Sequence, residues 1–196
     1  MVEISNIKVY DLEESVIACR NAMRLEPSIG DDFDKSLERA IKLAECPSNS
    51  GHCNFLTGIR VSFDIKYPNY ISPELQRYHF FDIVTSSSKM HTLTKMADDS
   101  TKYNKYVSPV ILDYIRVLMH DYNNAQTEEE KYKAFMRLVS NCPQGIELFM
   151  RASTNYMQLR TMYAQRKHHK LKEDWGAICQ MIENLPYAKE FLLCKQ

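Results

Sequence analysis

The sequence predicts a single α+β domain, mostly helical with a small antiparallel or mixed sheet. Three observations lead there. Ile59 to Tyr67 alternates strictly between apolar and polar residues; several other stretches carry apolar stripes at helical spacing; and the 196 residues, with only five glycines, show no internal repeat, low-complexity tract or flexible linker. With 44% apolar residues the chain can bury a core as one unit over residues 1–196.

Taken in order, Val2, Ile4, Ile7 and Val9 alternate with one slip, which predicts a short strand to Tyr10. Asp11 and Glu14 have capping-box spacing, and Leu12, Val16, Cys19 and Met23 extend a helix to about Arg24. Pro27 to Gly30 is the break. Leu37, Ile41 and Ala44 mark a second helix, ended by the turn Cys46-Pro47-Ser48-Asn49-Ser50-Gly51. Ile59, Val61, Phe63 and Ile65 then alternate with Arg60, Ser62, Asp64 and Lys66, a half-buried strand. The run Tyr78 to Thr85 suits either a strand or a buried helix.

Ser108-Pro109 opens a helix whose stripe runs from Val110 to Tyr122, with the serine hydroxyl placed to cap and proline tolerated in the first turn. Thr127 and Glu130 form another capping box, and that helix runs to about Val139 before Asn141 to Gly145 interrupts. Two more helices are expected, Glu147 to Arg166 and one around Trp175, Ile178, Cys179 and Ile182, closed by Pro186.

Twenty-five basic residues balance twenty-five acidic ones, so bulk charge recruits neither nucleic acid nor anionic membrane, and an anionic ligand must be held locally. No apolar run approaches the roughly 20 residues of a membrane span, and Met1-Val2-Glu3-Ile4 is unlike a secretion signal, which points to the cytoplasm. Six cysteines without a C-x-x-C pair read as reduced thiols. Cys46, His52 and Cys53, with His79, His91, His168 and His169 elsewhere, lack paired zinc-ligand spacing, so no metal is expected.

Two other constellations bear on chemistry. Thr85-Ser86-Ser87-Ser88-Lys89 offers hydroxyls, backbone N–H groups and an ammonium to a phosphate, or is a serine-rich surface turn. Arg160, Arg166, Lys167, His168, His169, Lys170 and Lys172 form a basic run that is either a solvated helix end or an anion site; Arg166 stands out in it. Neither G-x-x-x-x-G-K-[ST] nor G-x-G-x-x-G is present.

Together these pieces resemble the flavin-dependent thymidylate synthase (ThyX) family, whose central segment reads H-x-S-x-x-E-H-x-x-F-T-F and, after a gap, R-H-R-x-x-S-x-N-x-x-S-x-R-Y. His52, Ser62 and Phe63 fall at or near the first pattern, Lys66 and Pro68 fit the connecting strand, and Arg77, Ser87 and Lys89 fall on the second, twelve positions separating Arg77 from Lys89. The Gly51-His52 turn, Asn155 at the position of N-x-R, and Arg166 at the end of a helix extend the resemblance over nearly the whole chain. The departures are Thr57-Gly58 for E-H, Tyr78 and His79 in R-H-R, and Asp82 and Val84 for the first serine and the asparagine. Glu74 replaces a family glutamine that faces the pyrimidine, and a carboxylate accepts where an amide both accepts and donates.

The resemblance implies a ThyX-like fold and a reaction in which FAD, NADPH and methylenetetrahydrofolate deliver a one-carbon unit to C5 of dUMP or another pyrimidine deoxynucleotide, as methyl or hydroxymethyl. It implies Arg77 and Arg166 as catalytic, Glu74, Arg77, Ser87, Ser88, Lys89 and Arg166 as substrate-binding, and His52, Arg77, His79 and Asn155 as cofactor-binding. It also implies a homotetramer with sites between subunits. The competing expectations are a degenerate homologue that binds nucleotide or partner subunits without turnover, and a basic helical module on nucleic acid, which the zero net charge disfavours.

Overall fold

The computed structural model describes residues 1–27, 30, 32–47 and 50–193; Ser48 and Asn49 of the predicted turn, part of the break before Gly30, and Cys194 lie outside them. Four strands form one antiparallel sheet in the order β1-β2-β4-β3, where β1 is Glu3–Tyr10, β2 Arg60–Pro68, β3 Asp82–Ser86 and β4 Glu147–Asn155. β2 is the strand predicted from alternation. Its Val61, Phe63, Ile65 and Tyr67 are buried on one face, and it pairs with β4 along its whole length. The slip in the alternation of β1 is a bulge: the register shifts between Ser5 and Lys8, Asn6 has φ 49°, and its amide donates to Asp64 Oδ2 at 2.9 Å.

The longest predicted helix, Glu147 to Arg166, is two elements. Leu148, Met150, Ala152 and Thr154 alternate inward as β4, and the helix α7 (Tyr156–Arg166) begins only after Asn155, whose side chain accepts from the Gln158 N–H at 2.8 Å. Pairing with both β2 and β3 decides this segment, and such pairing is not local. The open case Tyr78 to Thr85 resolves into a turn followed by β3.

Helices α1 (Leu12–Ala18) and α2 (Phe33–Ala44) follow β1. Asp11 does not cap α1 with its side chain: it sits at φ 57°, because the strand enters the helix without a linker, and α1 stops at Ala18 rather than near Arg24. A short 3-10 turn, Asn21–Met23, follows. Helix α3 (Ser72–Leu75) precedes β3, and α4 (Lys89–Met96), α5 (Pro109–Asn124) and α6 (Glu128–Asn141) form a lobe with its own core of Leu93, Ile115, Leu118 and Leu138. Ser108 starts α5 without a side-chain cap. The Thr127–Glu130 capping box at α6 is complete.

Helices α7, α8 (Lys172–Glu183) and α9 (Ala188–Phe191) cover the inner sheet face, where Phe63, Ile65, Met150, Leu159, Trp175 and Phe191 are essentially solvent-free. Each such large side chain stabilises the fold by roughly 1.5–3 kcal/mol. The outer face carries the Arg60–Asp82, Lys66–Glu147 and Arg151–Asp64 pairs, with Phe149 exposed among them. Among the described residues no helix is long and apolar enough to cross a membrane.

Candidate functional site

A cleft of about 990 Å³ opens between α1, the turn after it, α2 and the segment 51–58. Its cations come in two pairs spaced by four residues, Arg20 with Arg24 and Lys35 with Arg39 on one face of α2. His52, Thr57 and Gly58 also line it, and among the described residues no carboxylate does. Four cationic side chains thus face one concavity. Burial pushes the Cys19 thiol above its ordinary range, against the opposing pull of Arg39 and Arg20. Gly58 is packed so closely that a Cβ would run into the Ser15 hydroxyl, which excludes a side chain at this position unless Ser15 moves.

A second group lies where α3, α7 and α8 meet. Glu74 Oε2 accepts from Trp175 Nε1 at 2.7 Å and Arg166 Nη1 at 3.1 Å, with His169 Nε2 at 3.7 Å. Arg166 Nε donates to the Tyr78 hydroxyl at 2.7 Å, and that hydroxyl donates to Gln165 Oε1 at 3.2 Å. The guanidinium carbon lies 4.5 Å from the Trp175 ring centre and 5.6 Å from that of Tyr78. Sequence reasoning singled out Glu74 and Arg166 but not their mutual contact, and it missed Tyr78 and Trp175 as their frame.

The third group is the turn from β3 into α4. Ser87 continues the ladder: its N–H donates to the Phe149 carbonyl at 2.8 Å, and its hydroxyl accepts from the Phe149 N–H at 3.0 Å. Ser88 occupies the cap position of α4 with its hydroxyl unused for capping, and half-buried Lys89 is the first helical residue, close enough to Cys142 to lower its thiol pKa against the larger effect of burial. Arg77 is exposed, and exposed His79 packs edge-on against Phe80 at 4.6 Å. Asn155 is buried and engaged as the cap of α7.

Of the expected site residues the structure joins Glu74 with Arg166 and places His52 in the cleft. Glu74, Arg77, Ser87, Ser88, Lys89 and Arg166 are absent from the cleft lining, and no hydrogen bond or ion pair among the described residues ties Ser87 to Lys89 to the other two groups. Among those residues no cluster of three His, Cys, Asp or Glu side chains could hold a metal.

The basic run is not uniformly solvated. Lys167, His168, Lys170 and Lys172 are exposed, but Arg160 is 1% exposed. Its Nη1 donates to the Ala44 carbonyl, at the end of α2, at 2.8 Å, while Nε and Nη2 find no acceptor among the described residues. Buried orphaned donors on a cation are rare and costly. The sequence holds no signal for this burial, since Arg160 continues a run that reads as a helix end.

No protein-family model and no curated protein sequence matches the chain. Solved structures do. The flavin-dependent thymidylate synthase ThyX from Helicobacter pylori complexed with FAD and dUMP aligns with a TM-score of 0.71 at 15% identity, covering 100% of this chain and 99% of that one. A second structure of that enzyme with FAD and dUMP gives 0.56 at 15% identity, over 97% and 95% of the two chains. The UMP/dUMP methylase PolB from Streptomyces cacaoi bound with 5-Br dUMP gives 0.63 at 14% identity, over 97% and 92%. The chain therefore has the ThyX-like fold from end to end.

Proposed function

We propose that this protein is a flavin-dependent transferase that places a one-carbon unit, methyl or hydroxymethyl, on C5 of a pyrimidine deoxynucleotide such as dUMP. The observation that carries the reading is the ThyX-like fold along the whole chain, with a cleft to which Arg20, Arg24, Lys35 and Arg39 contribute cationic side chains. Its volume lies at the upper end of the roughly 300–1,000 Å³ of ligand pockets, and its charge suits a pyrophosphate, so the residues present fit FAD. Arg20, Arg24, Lys35 and Arg39 would hold the diphosphate and His52 the adjoining part, with Arg77, His79 and Asn155 as further cofactor contacts. When bound, FAD supplies the redox chemistry, with NADPH and methylenetetrahydrofolate as co-substrates.

The chain's own residues do the rest in this reading. Ser87, Ser88 and Lys89 hold the nucleotide phosphate with hydroxyls, first-turn N–H groups and an ammonium. Glu74 and Arg166 orient the base, and Arg77 with Arg166 supports charge developing on the ring. Exposed Arg77, His79 and Phe80 would meet a neighbouring subunit in a homotetramer, which unites groups that stand apart in one chain. A cytoplasmic setting belongs to the same reading.

The experiment is the visible spectrum of the purified protein, followed by dUMP titration. Bands of oxidised flavin, on purification or after adding FAD, are the expected result; a protein that stays colourless in excess FAD overturns it. Lys89→Ala is expected to weaken nucleotide binding about tenfold, the weight of one charge-assisted contact. A second reading, a homologue that binds without turnover, is favoured by Gly58, whose packing against Ser15 leaves no room for the histidine of the E-H pair. Flavin and nucleotide binding without NADPH oxidation would select it.

A further inference from the structure

We infer that α5 carries a self-association surface, on which α5 of a second copy of this chain packs antiparallel about a two-fold axis. The inference goes beyond the nucleotide reading and does not depend on it. Val110, Tyr114 and Val117 recur at intervals of four and three residues, so they form one stripe along the helix. They are 76%, 44% and 55% exposed, while Ile115, Leu118 and Met119, on another side of the same helix, fill the core of the lobe. The helix is therefore apolar on two sides, and the lobe buries one of them. Single apolar residues are ordinary on a surface, but a contiguous stripe of large ones marks a contact.

The pattern of the stripe and its charges points to a copy of α5 as the occupant. The stripe reads almost alike in both directions, so an antiparallel pair sets Val110 of each copy against Val117 of the other and brings the two Tyr114 rings together at the axis. Asp113 and Arg116, exposed and paired within the helix, share one flank of the stripe. They stand on either side of Tyr114 in sequence, so the same axis brings each Asp113 toward the Arg116 of the other copy, and opposite charges meet. Asp121 falls where the next apolar residue of the stripe would stand; Arg137 of α6 holds it at 3.0 Å, which ends the contact after two turns. An anionic lipid surface would call for a basic rim, and this rim carries one acid for one base. Two turns of one helix fall short of the roughly 1,200–2,000 Å² of a stable interface, so the association is weak and reversible by itself.

Sedimentation velocity of the full chain over a wide range of concentrations tests this. The variants are Val117→Glu, Asp113→Arg, and the exchanged pair Asp113→Arg with Arg116→Asp, all at exposed positions and each checked for folding by circular dichroism. In the parent the mass of the smallest species is expected to double as concentration rises. Val117→Glu should need at least about tenfold more protein for the same step and Asp113→Arg severalfold more, while the exchanged pair returns toward the parent. A parent mass that Val117→Glu leaves unchanged at every concentration overturns the inference. So does an exchanged pair that associates no better than Asp113→Arg alone, because the contact would then not be the antiparallel one.

Discussion

The cleft and the Glu74 cluster both contain arginine, yet they are built on opposite electrostatic plans. In the cluster, Arg166 is matched by a carboxylate, a tyrosine hydroxyl and two aromatic faces before any ligand arrives. In the cleft, the charged ends of Lys35 and Arg39 make no hydrogen bond or ion pair among the described residues, and no acidic side chain among those residues lines the wall. The first arrangement fixes geometry and offers little net charge. The second leaves the charged ends of Lys35 and Arg39 available to an incoming anion. Position in a basic stretch of sequence therefore says little about what an arginine does; its partners decide.

Substitutions in the two regions should separate accordingly. The largest effect is expected from Trp175→Ala, which empties a site 1% exposed and removes a donor from Glu74: about 3–5 kcal/mol of stability, read by urea unfolding. A loss under 1 kcal/mol would show that the cluster is not the rigid frame described. Arg166→Met should cost about 1–3 kcal/mol, because it leaves Glu74 and the Tyr78 hydroxyl short of a partner in a half-buried place. Arg39→Ala, by contrast, should leave stability within about 0.5 kcal/mol and weaken FAD binding about tenfold, seen in the quenching of flavin fluorescence. If stability falls instead and FAD affinity holds, the contrast between the regions collapses.

The smallest and most diagnostic effect concerns Cys19. Burial raises its thiol pKa, and Arg39 and Arg20 pull it down. Removing Arg39 takes away part of that pull, so the pH profile of Cys19 alkylation by iodoacetamide, followed by peptide mass spectrometry, should move upward and the rate at pH 8 should fall severalfold. A thiol raised above its unfolded value favours the folded state at pH below the ordinary thiol range, and that contribution is lost as pH climbs through the folded value. A faster reaction in Arg39→Ala would show that Arg39 does not act on this space.

How far these features were legible in the sequence follows from how local they are. β2 was readable because one face is buried against α7 and α8 while the other bears charge, so burial copies itself into alternation. The Thr127–Glu130 box lies within one turn and was equally plain. Asp11 misled because the left-handed junction with β1 overrides its capping preference, and Leu148 to Thr154 misled because only pairing with β2 and β3 makes it a strand. The Glu74 cluster joins residues 92 and 101 positions apart, a distance no motif spans. The cleft cations left a faint trace, two basic pairs spaced by four residues, which the neutral overall composition masked.

Arg160 makes one further point, about selection rather than geometry. A chain chosen only for thermal endurance would replace a sealed guanidinium with two idle donors by methionine or leucine, which fill similar space without the desolvation cost. What arginine adds in return is its bond to the Ala44 carbonyl, which anchors α7 to the end of α2. A methionine at position 160 therefore exchanges a tether between two helices for a drier core, and hydrogen exchange at the end of α2 should quicken even where the melting temperature rises.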